Sequence, residues 1–214
     1  MNIQLDKIVD IVYEQIFNQF KGNGYIEIEA SGRHAHLSRE AVVALFGEKH
    51  TLTKSKDLSQ PGQYSCDERV SLVGPKGAIH NVVVLGPERE STQIEVSMTD
   101  AKILGLSIPV RESGNVKGSP GLAVVSKDKS IALKEGVIIA DRHIHMTPED
   151  AEKLALADGD RVDVEVCTDR PVRFKNVKTR VSEHAATYMH IDYDEANACG
   201  MSGKTFGRII KEQD

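Results

Sequence analysis

A chain of 214 residues with 40% hydrophobic and 28% charged side chains can bury a substantial core, as one large domain or two small ones. A net charge of -5 with scattered Lys and Arg argues against nucleic-acid binding, which needs a clustered basic face, although a few local cations can still hold a small polyanion. No run approaches the roughly 20 apolar residues that span a bilayer, and acids at Asp6, Asp10 and Glu14 interrupt any signal-peptide core, so no membrane partner is expected.

Three cysteines, Cys66, Cys167 and Cys199, are an odd number without close pairs and point to reduced thiols in a cytoplasmic setting. The spacing of Leu5, Ile8, Val9, Val12, Ile16 and Phe20 predicts an amphipathic helix over residues 4–20, ended by Lys21-Gly22-Asn23-Gly24. Packing on the main body and docking to a larger assembly are both open to such a helix. After Gly24 the pattern changes to short strands. Residues 25–30 alternate, residues 70–73 and 81–85 flank the turn Gly74-Pro75-Lys76-Gly77 as a hairpin, and residues 93–97 form a further strand. The Gly/Ser/Pro-rich stretch 112–121 reads as a long loop and a boundary. The chain therefore divides into an N-terminal helix over 1–22, a first half over 23–118 and a second over 119–214. Strands are expected beyond it at 123–125, 131–133, 137–140, 162–166, 172–174, 177–181 and 187–191. Many short strands with few helices predict a mainly β protein of two small β-barrel domains with short α-helices.

An internal repeat carries the most information. Arg33-His34-Ala35-His36-Leu37-Ser38-Arg39-Glu40 returns half a chain later as Arg142-His143-Ile144-His145-Met146-Thr147-Pro148-Glu149. Ser38 and Thr147 are good N-cap residues, and Pro148 suits a first helical position. Each copy thus reads as strand, His-x-His, capped short helix, and duplicated barrels would bring four imidazoles to one cleft.

Residues i and i+2 of a strand share a face, about 6.5–7 Å apart, so the rings of His-x-His can bind one divalent metal together. One such pair is weak evidence; two copies in one local context are not explained by solvent-facing or capping histidines. His190, at the end of a strand in Met189-His190-Ile191-Asp192, is a further candidate ligand, with His184 weaker. Asp192, Asp194 and Glu195 read mainly as caps of a helix starting before Ala196. Glu95, an acid on an otherwise apolar strand, is costly unless paired or metal-bound, or else marks an exposed strand face. Arg89, after the turn Gly86-Pro87, is a candidate phosphate clamp, the alternative being a surface pair with Glu88 or Glu90.

These motifs, with Ser31-Gly32, Leu58-Ser59-Gln60-Pro61-Gly62-Gln63, Leu85-Gly86-Pro87, Gln93-Ile94-Glu95 and Asp194-Glu195-Ala196-Asn197-Ala198, resemble the PduL-type phosphotransacylases, the phosphate propanoyltransferases of propanediol metabolism, from about residue 24 to 201. The resemblance implies two β-barrel domains with two zinc ions between them. It also implies reversible transfer of a short acyl group, propanoyl or acetyl, between coenzyme A and inorganic phosphate. By position, His34, His36, Glu95, His143, His145 and His190 match the family's metal ligands, Arg89 its phosphate-contacting arginine, and Ser31, Lys56, Leu85, His190 and Asn197 residues near CoA. The chain departs from the family at Val83, where an arginine near CoA is common, and at Asp141, which replaces a smaller residue.

Phosphate should attack the thioester directly, with the three cysteines structural. The same histidines could instead serve a binuclear metallohydrolase, a thioesterase or phosphatase that activates water. A non-catalytic component recruited through the N-terminal helix is a third reading. Some relatives carry an N-terminal extension that targets a bacterial microcompartment, and the 4–20 helix is a candidate for that role, with shell or core proteins as partners. The sequence leaves the acyl chain, worth about 1–3 kcal/mol per methylene in a pocket, and any homo-oligomer undetermined.

Overall fold

The computed structural model describes residues 23–211; the helix predicted over residues 4–20 lies outside them. Short strands follow one another from β1 (Tyr25–Ser31) through β2 (His34–Ser38), β3 (Lys54–Asp57), β4 (Tyr64–Val73), β5 (Ala78–Arg89), β6 (Gln93–Glu95), β7 (Val110–Arg111), β8 (Ala123–Val125), β9 (Ser130–Ala132) and β10 (Val137–Ala140). They continue with β11 (His143–Met146), β12 (Arg161–Val166), β13 (Arg173–Val181), β14 (Tyr188–Asp192) and β15 (Thr205–Ile210). The helices are short: α1 (Arg39–Phe46), α2 (Met98–Leu104), α3 (Pro148–Lys153) and α4 (Tyr193–Ala198). Among the described residues, no helix is long and apolar enough to cross a membrane.

The described residues pack as two compact units, one of residues 23–29 with His143–Met189 and residues 198–211, the other of Ala30–Arg142 with His190–Asn197. The strands form a closed six-stranded barrel, in the order β1-β14-β11-β13-β12-β15, and a curled nine-stranded sheet, β7-β10-β6-β2-β5-β4-β8-β9 with β3 on β4. The mainly β architecture expected from the sequence is what the chain adopts. Closure removes the edges of the first sheet, and Ile28, Ile144, Met146, Val164, Val177 and Met189 are buried in it.

Alternation sets the faces of the second sheet. Ala35, Leu37, Val82, Val84, Ile94 and Val96 turn to one core. The intervening residues on the same strands, His34, His36, Val83, Leu85, Gln93 and Glu95, therefore share the opposite face. The predicted hairpin is β4 and β5, closed by the Gly74 amide donating to the Gly77 carbonyl at 2.9 Å. Glycine is required at 74 because a Cβ there would stand 2.3 Å from the Leu104 carbonyl oxygen.

The cap predictions hold in detail. The Ser38 side chain accepts from the Ala41 amide to start α1, and that of Thr147 accepts from the Asp150 amide, with Pro148 in the first turn of α3. The segments predicted separately at 172–174 and 177–181 run together as β13, with Asn176 at φ 60° and an irregular register opposite β12 between Val162 and Val164.

Candidate functional site: two histidine clusters

The first His-x-His lies on β2 between two partners. β5 runs parallel and puts Val83 beside His34 and Leu85 beside His36, while β6 runs antiparallel and puts Glu95 beside His34 and Gln93 beside His36. This register gathers His34, His36 and Glu95, all buried, into a group whose potential ligand atoms lie within 4.8 Å of one another. His34 Nε2 is 3.5 Å from Glu95 Oε2, and His36 Nε2 is 3.9 Å from Glu95 Oε1. The His34 Nδ1–H donates to the Gly32 carbonyl at 2.8 Å, which fixes the ring and points Nε2 at the carboxylate.

The second pair repeats this arrangement. The His143 and His145 rings are 4.7 Å apart at 86°, against 4.9 Å and 87° for His34 and His36. Their Nε2 atoms approach to 3.1 Å, and His190, on β14 in the same barrel as β11, completes a second group with ligand atoms within 4.8 Å.

Both groups fit a divalent cation by donor chemistry and spacing. Zinc takes imidazole nitrogen and carboxylate oxygen at about 2.0–2.2 Å, so ligand atoms at tetrahedral angles stand about 3.4 Å apart. The His143–His145 and His34–Glu95 Oε2 separations of 3.1 and 3.5 Å lie close to that value. Three protein ligands leave a fourth position for substrate, as catalytic sites need.

Electrostatics in the first group point the same way. Burial, reinforced by the charges of His34 and Arg89, pushes His36 down to about 2, so it is a neutral donor. Burial also works against charge on His34, but the Glu95 carboxylate outweighs it and holds the His34 pKa above its ordinary value. Burial opposes the charged form of Glu95 in turn, and the imidazolium of His34 overcomes it, leaving Glu95 well below the usual carboxylate range. A cation entering this cluster would compete with the proton that Glu95 favours on His34.

Arg89, at the end of β5, is half-buried and its charge reaches both His34 and His36. Its Nη1 donates to Ser113 Oγ at 3.2 Å. Glu88, one of the surface partners considered for it, pairs with Arg39 at 3.0 Å. Leu85 and Lys56 fall on one lateral row with His36, through Ser65 on β4, Lys56 being exposed on β3. Ser31 closes β1, half-buried, and Asn197 is exposed on α4.

Several supporting residues escaped the sequence reading. Gln93 and Ser113 both bind the Glu95 carboxylate, Gln93 Nε2 at 2.6 Å and Ser113 Oγ at 3.0 Å. Gln93 shares its face with Glu95, a signal available in the sequence; Ser113, in the loop after β7, gave none. A second repeated pattern also went unread. Glu95 is followed by the N-cap Ser97 and by Asp100 at the third helical position, where a capping box forms. His190 is followed at the same spacing by Asp192 and Glu195, which exchange the same bonds, 2.8 Å and 3.2 Å. The arginine opening each repeat pairs with that acid: Arg33 with Asp100 at 3.3 Å, and Arg142 with Glu195.

Neither cluster includes a cysteine. Burial pushes the Cys66 thiol up to about 11 and also raises that of Cys167.

The phosphate propanoyltransferase family profile matches residues 27–202. Relatives of that name include one from Listeria monocytogenes, 57% identical over 187 residues, covering 87% of this chain and 88% of the relative. One from Clostridioides difficile is 51% identical over 97% of this chain and 100% of its own. One from Enterococcus faecalis is 51% identical over 99% and 97%. Identity of this depth over nearly the whole length, on a fold whose repeated motifs build two like clusters, means that the chain belongs to the phosphate propanoyltransferase family and is an enzyme of the phosphotransacylase class.

Proposed function

We propose that this chain reversibly transfers a short acyl group, propanoyl or acetyl, between coenzyme A and inorganic phosphate at a dinuclear zinc centre. His34, His36 and Glu95 would hold one ion, and His143, His145 and His190 the other. The observation that carries the reading is the duplication of one ligand geometry, two T-shaped imidazole pairs each completed by a third donor.

When bound, the ions supply Lewis acidity toward the thioester carbonyl and positive charge toward phosphate. The chain's own residues do the rest. Arg89 offers a guanidinium fork to phosphate oxygens and orients the nucleophile. His34 and His36 would offer Nε2 to the cation, which at His34 would compete with the proton that Glu95 favours, while burial keeps His36 a neutral donor. A phosphate oxygen attacks the carbonyl carbon, the C–S bond breaks, and CoA leaves as its thiolate, giving acyl phosphate. Leu85 and Lys56, in register with His36, with Ser31 and Asn197, are assigned to CoA. For residues 1–22 the sequence leaves two roles open, packing on the main body or targeting a microcompartment; a reporter carrying them that stays dispersed in cells with such compartments would refute the second.

The test is thiol release from propanoyl- and acetyl-CoA with and without phosphate, on protein of measured zinc content. Phosphate-dependent release with about two zinc ions per chain is expected. Phosphate-independent release would make the protein a hydrolase, and a ping-pong pattern would refute direct transfer.

A further inference from the structure

On the reading just given, in which Glu95 holds a cation and Arg89 holds phosphate, we propose that Ser113 is a positioning residue that ties the two together. Its hydroxyl bridges Arg89 to the Glu95 carboxylate. A serine hydroxyl has one proton and two acceptor positions, and all three are used here. Ser113 donates to Glu95 Oε1 at 3.0 Å, and accepts from Arg89 Nη1 at 3.2 Å and from Gln93 Nε2 at 2.8 Å. The second Gln93 amide proton goes to Glu95 Oε1 at 2.6 Å, and its Oε1 accepts the Gly114 amide at 2.7 Å. The loop after β7 is thereby stitched to β6 at the candidate ligand itself.

The two carboxylate oxygens of Glu95 thus have different employment. Oε1 receives two donors, while Oε2 faces His34 Nε2 at 3.5 Å. The geometry assigns Oε2 to the cation and Oε1 to the protein, a single-oxygen ligand whose rotation is blocked. It also gives the Arg89 guanidinium a fixed point beside the charge it must complement. Hydrogen-bond partners of metal ligands typically change metal affinity or activity by about 10–100-fold when removed.

The test compares Ser113→Ala and Ser113→Thr with the wild-type chain. Ser113 is half-buried in a loop, so loss of its hydroxyl leaves the strands intact. Zinc retention is read by competition with a chromophoric chelator, and KM for phosphate and for acyl-CoA by initial rates. S113A should lose zinc affinity at one of two sites by about 10–100-fold. It should raise KM for phosphate about tenfold with KM for acyl-CoA unchanged, and S113T should restore both. In an Arg89→Ala background, S113A should add no further rise in phosphate KM while still weakening zinc. Wild-type zinc retention in S113A, an unchanged phosphate KM, or equal losses in S113T each overturn the proposal. A wild-type chain that binds no zinc, or releases thiol without phosphate, would instead bring down the underlying reading, and is seen in the wild-type control alone.

Discussion

Substituting Glu95 by glutamine tests the charge arrangement of the first cluster in the metal-stripped protein. Glu95 and His34 are both buried, and their charged atoms stand 3.5 Å apart. At an effective dielectric near 20 this attraction is about 5 kcal/mol, much of it offset by desolvation of both ions. The amide keeps the shape and removes the charge. Burial, the largest influence on His34, is then opposed only by the Gly32 carbonyl, and the ring becomes neutral in the folded state. In the wild-type chain the raised His34 pKa contributes stability that is fully present below the ordinary imidazole value of 6.5 and is lost as pH rises through the folded value. The depressed Glu95 pKa contributes stability present above 4.5 and lost as pH falls through its folded value. Both contributions coexist between pH 4.5 and 6.5. In E95Q the unfolded chain takes up a proton below pH 6.5 that the folded chain does not, which costs about 1.4 kcal/mol per pH unit. Because the wild-type folded chain holds that proton up to a value above 6.5, the destabilisation by E95Q should be at least about 1.4 kcal/mol larger at pH 5.5 than at pH 7.5. Urea denaturation of both chelator-treated proteins at pH 5.5 and 7.5 measures it. A difference that is flat, or that grows with pH, would refute the assignment of charge to His34.

His143→Ala should lower bound zinc from about two ions per chain to about one, read by elemental analysis, because the first cluster shares no ligand with the second. Zinc retention by the wild-type chain should fall as pH drops through the raised His34 pKa, since proton and metal compete for Nε2; retention independent of pH between 5 and 8 would contradict this. Arg33→Gln and Arg142→Gln should each lower stability by about 1 kcal/mol, seen as a Tm lower by about 2–4 °C, by releasing the acids at the starts of α2 and α4. Gly121→Ala should cost more, about 3 kcal/mol, because its Cβ would stand 1.9 Å from the Leu133 carbonyl oxygen; an unchanged denaturation midpoint would count against that packing.

The strands of this fold were legible wherever alternation and turn chemistry agreed. Residues 123–125 and 137–140 are strands as read, and Gly74-Pro75-Lys76-Gly77 closes a hairpin. Strand β3, fully exposed with the sequence Lys-Ser-Lys-Asp, has no apolar face to betray it and exists because β4 offers an edge. Helix α2 was hidden because its start, Ser97 to Asp100, follows directly on a strand. At the site, the His-x-His repeat announced itself because both rings of each pair must share one strand face. The third donors were harder: Glu95 and His190 differ in type, so their common spacing to a helix cap is visible only once α2 and α4 are known. Ser113 could not be read at all, since a loop serine acquires meaning only from what the fold lays against it.

The two clusters are copies in geometry and unlike in charge, and the difference has a physical consequence. Each takes two imidazoles from a His-x-His strand and a third donor from a strand that runs into a capped helix anchored by the repeat's own arginine. In the first the third donor is a carboxylate, which cancels one charge of a divalent ion; in the second it is an imidazole, which cancels none. A cation held by His143, His145 and His190 would therefore keep its full double charge toward an anionic ligand, while one held by His34, His36 and Glu95 would keep a single charge. Arg89 stands by the cluster with the carboxylate, its field reaching His34 and His36. The guanidinium restores at that cluster the positive charge that Glu95 removes, on a group that can grip phosphate oxygens directionally as a bare ion cannot. Two donor sets alike in geometry are thus made chemically distinct as candidate cation sites by one change of donor type and one added arginine.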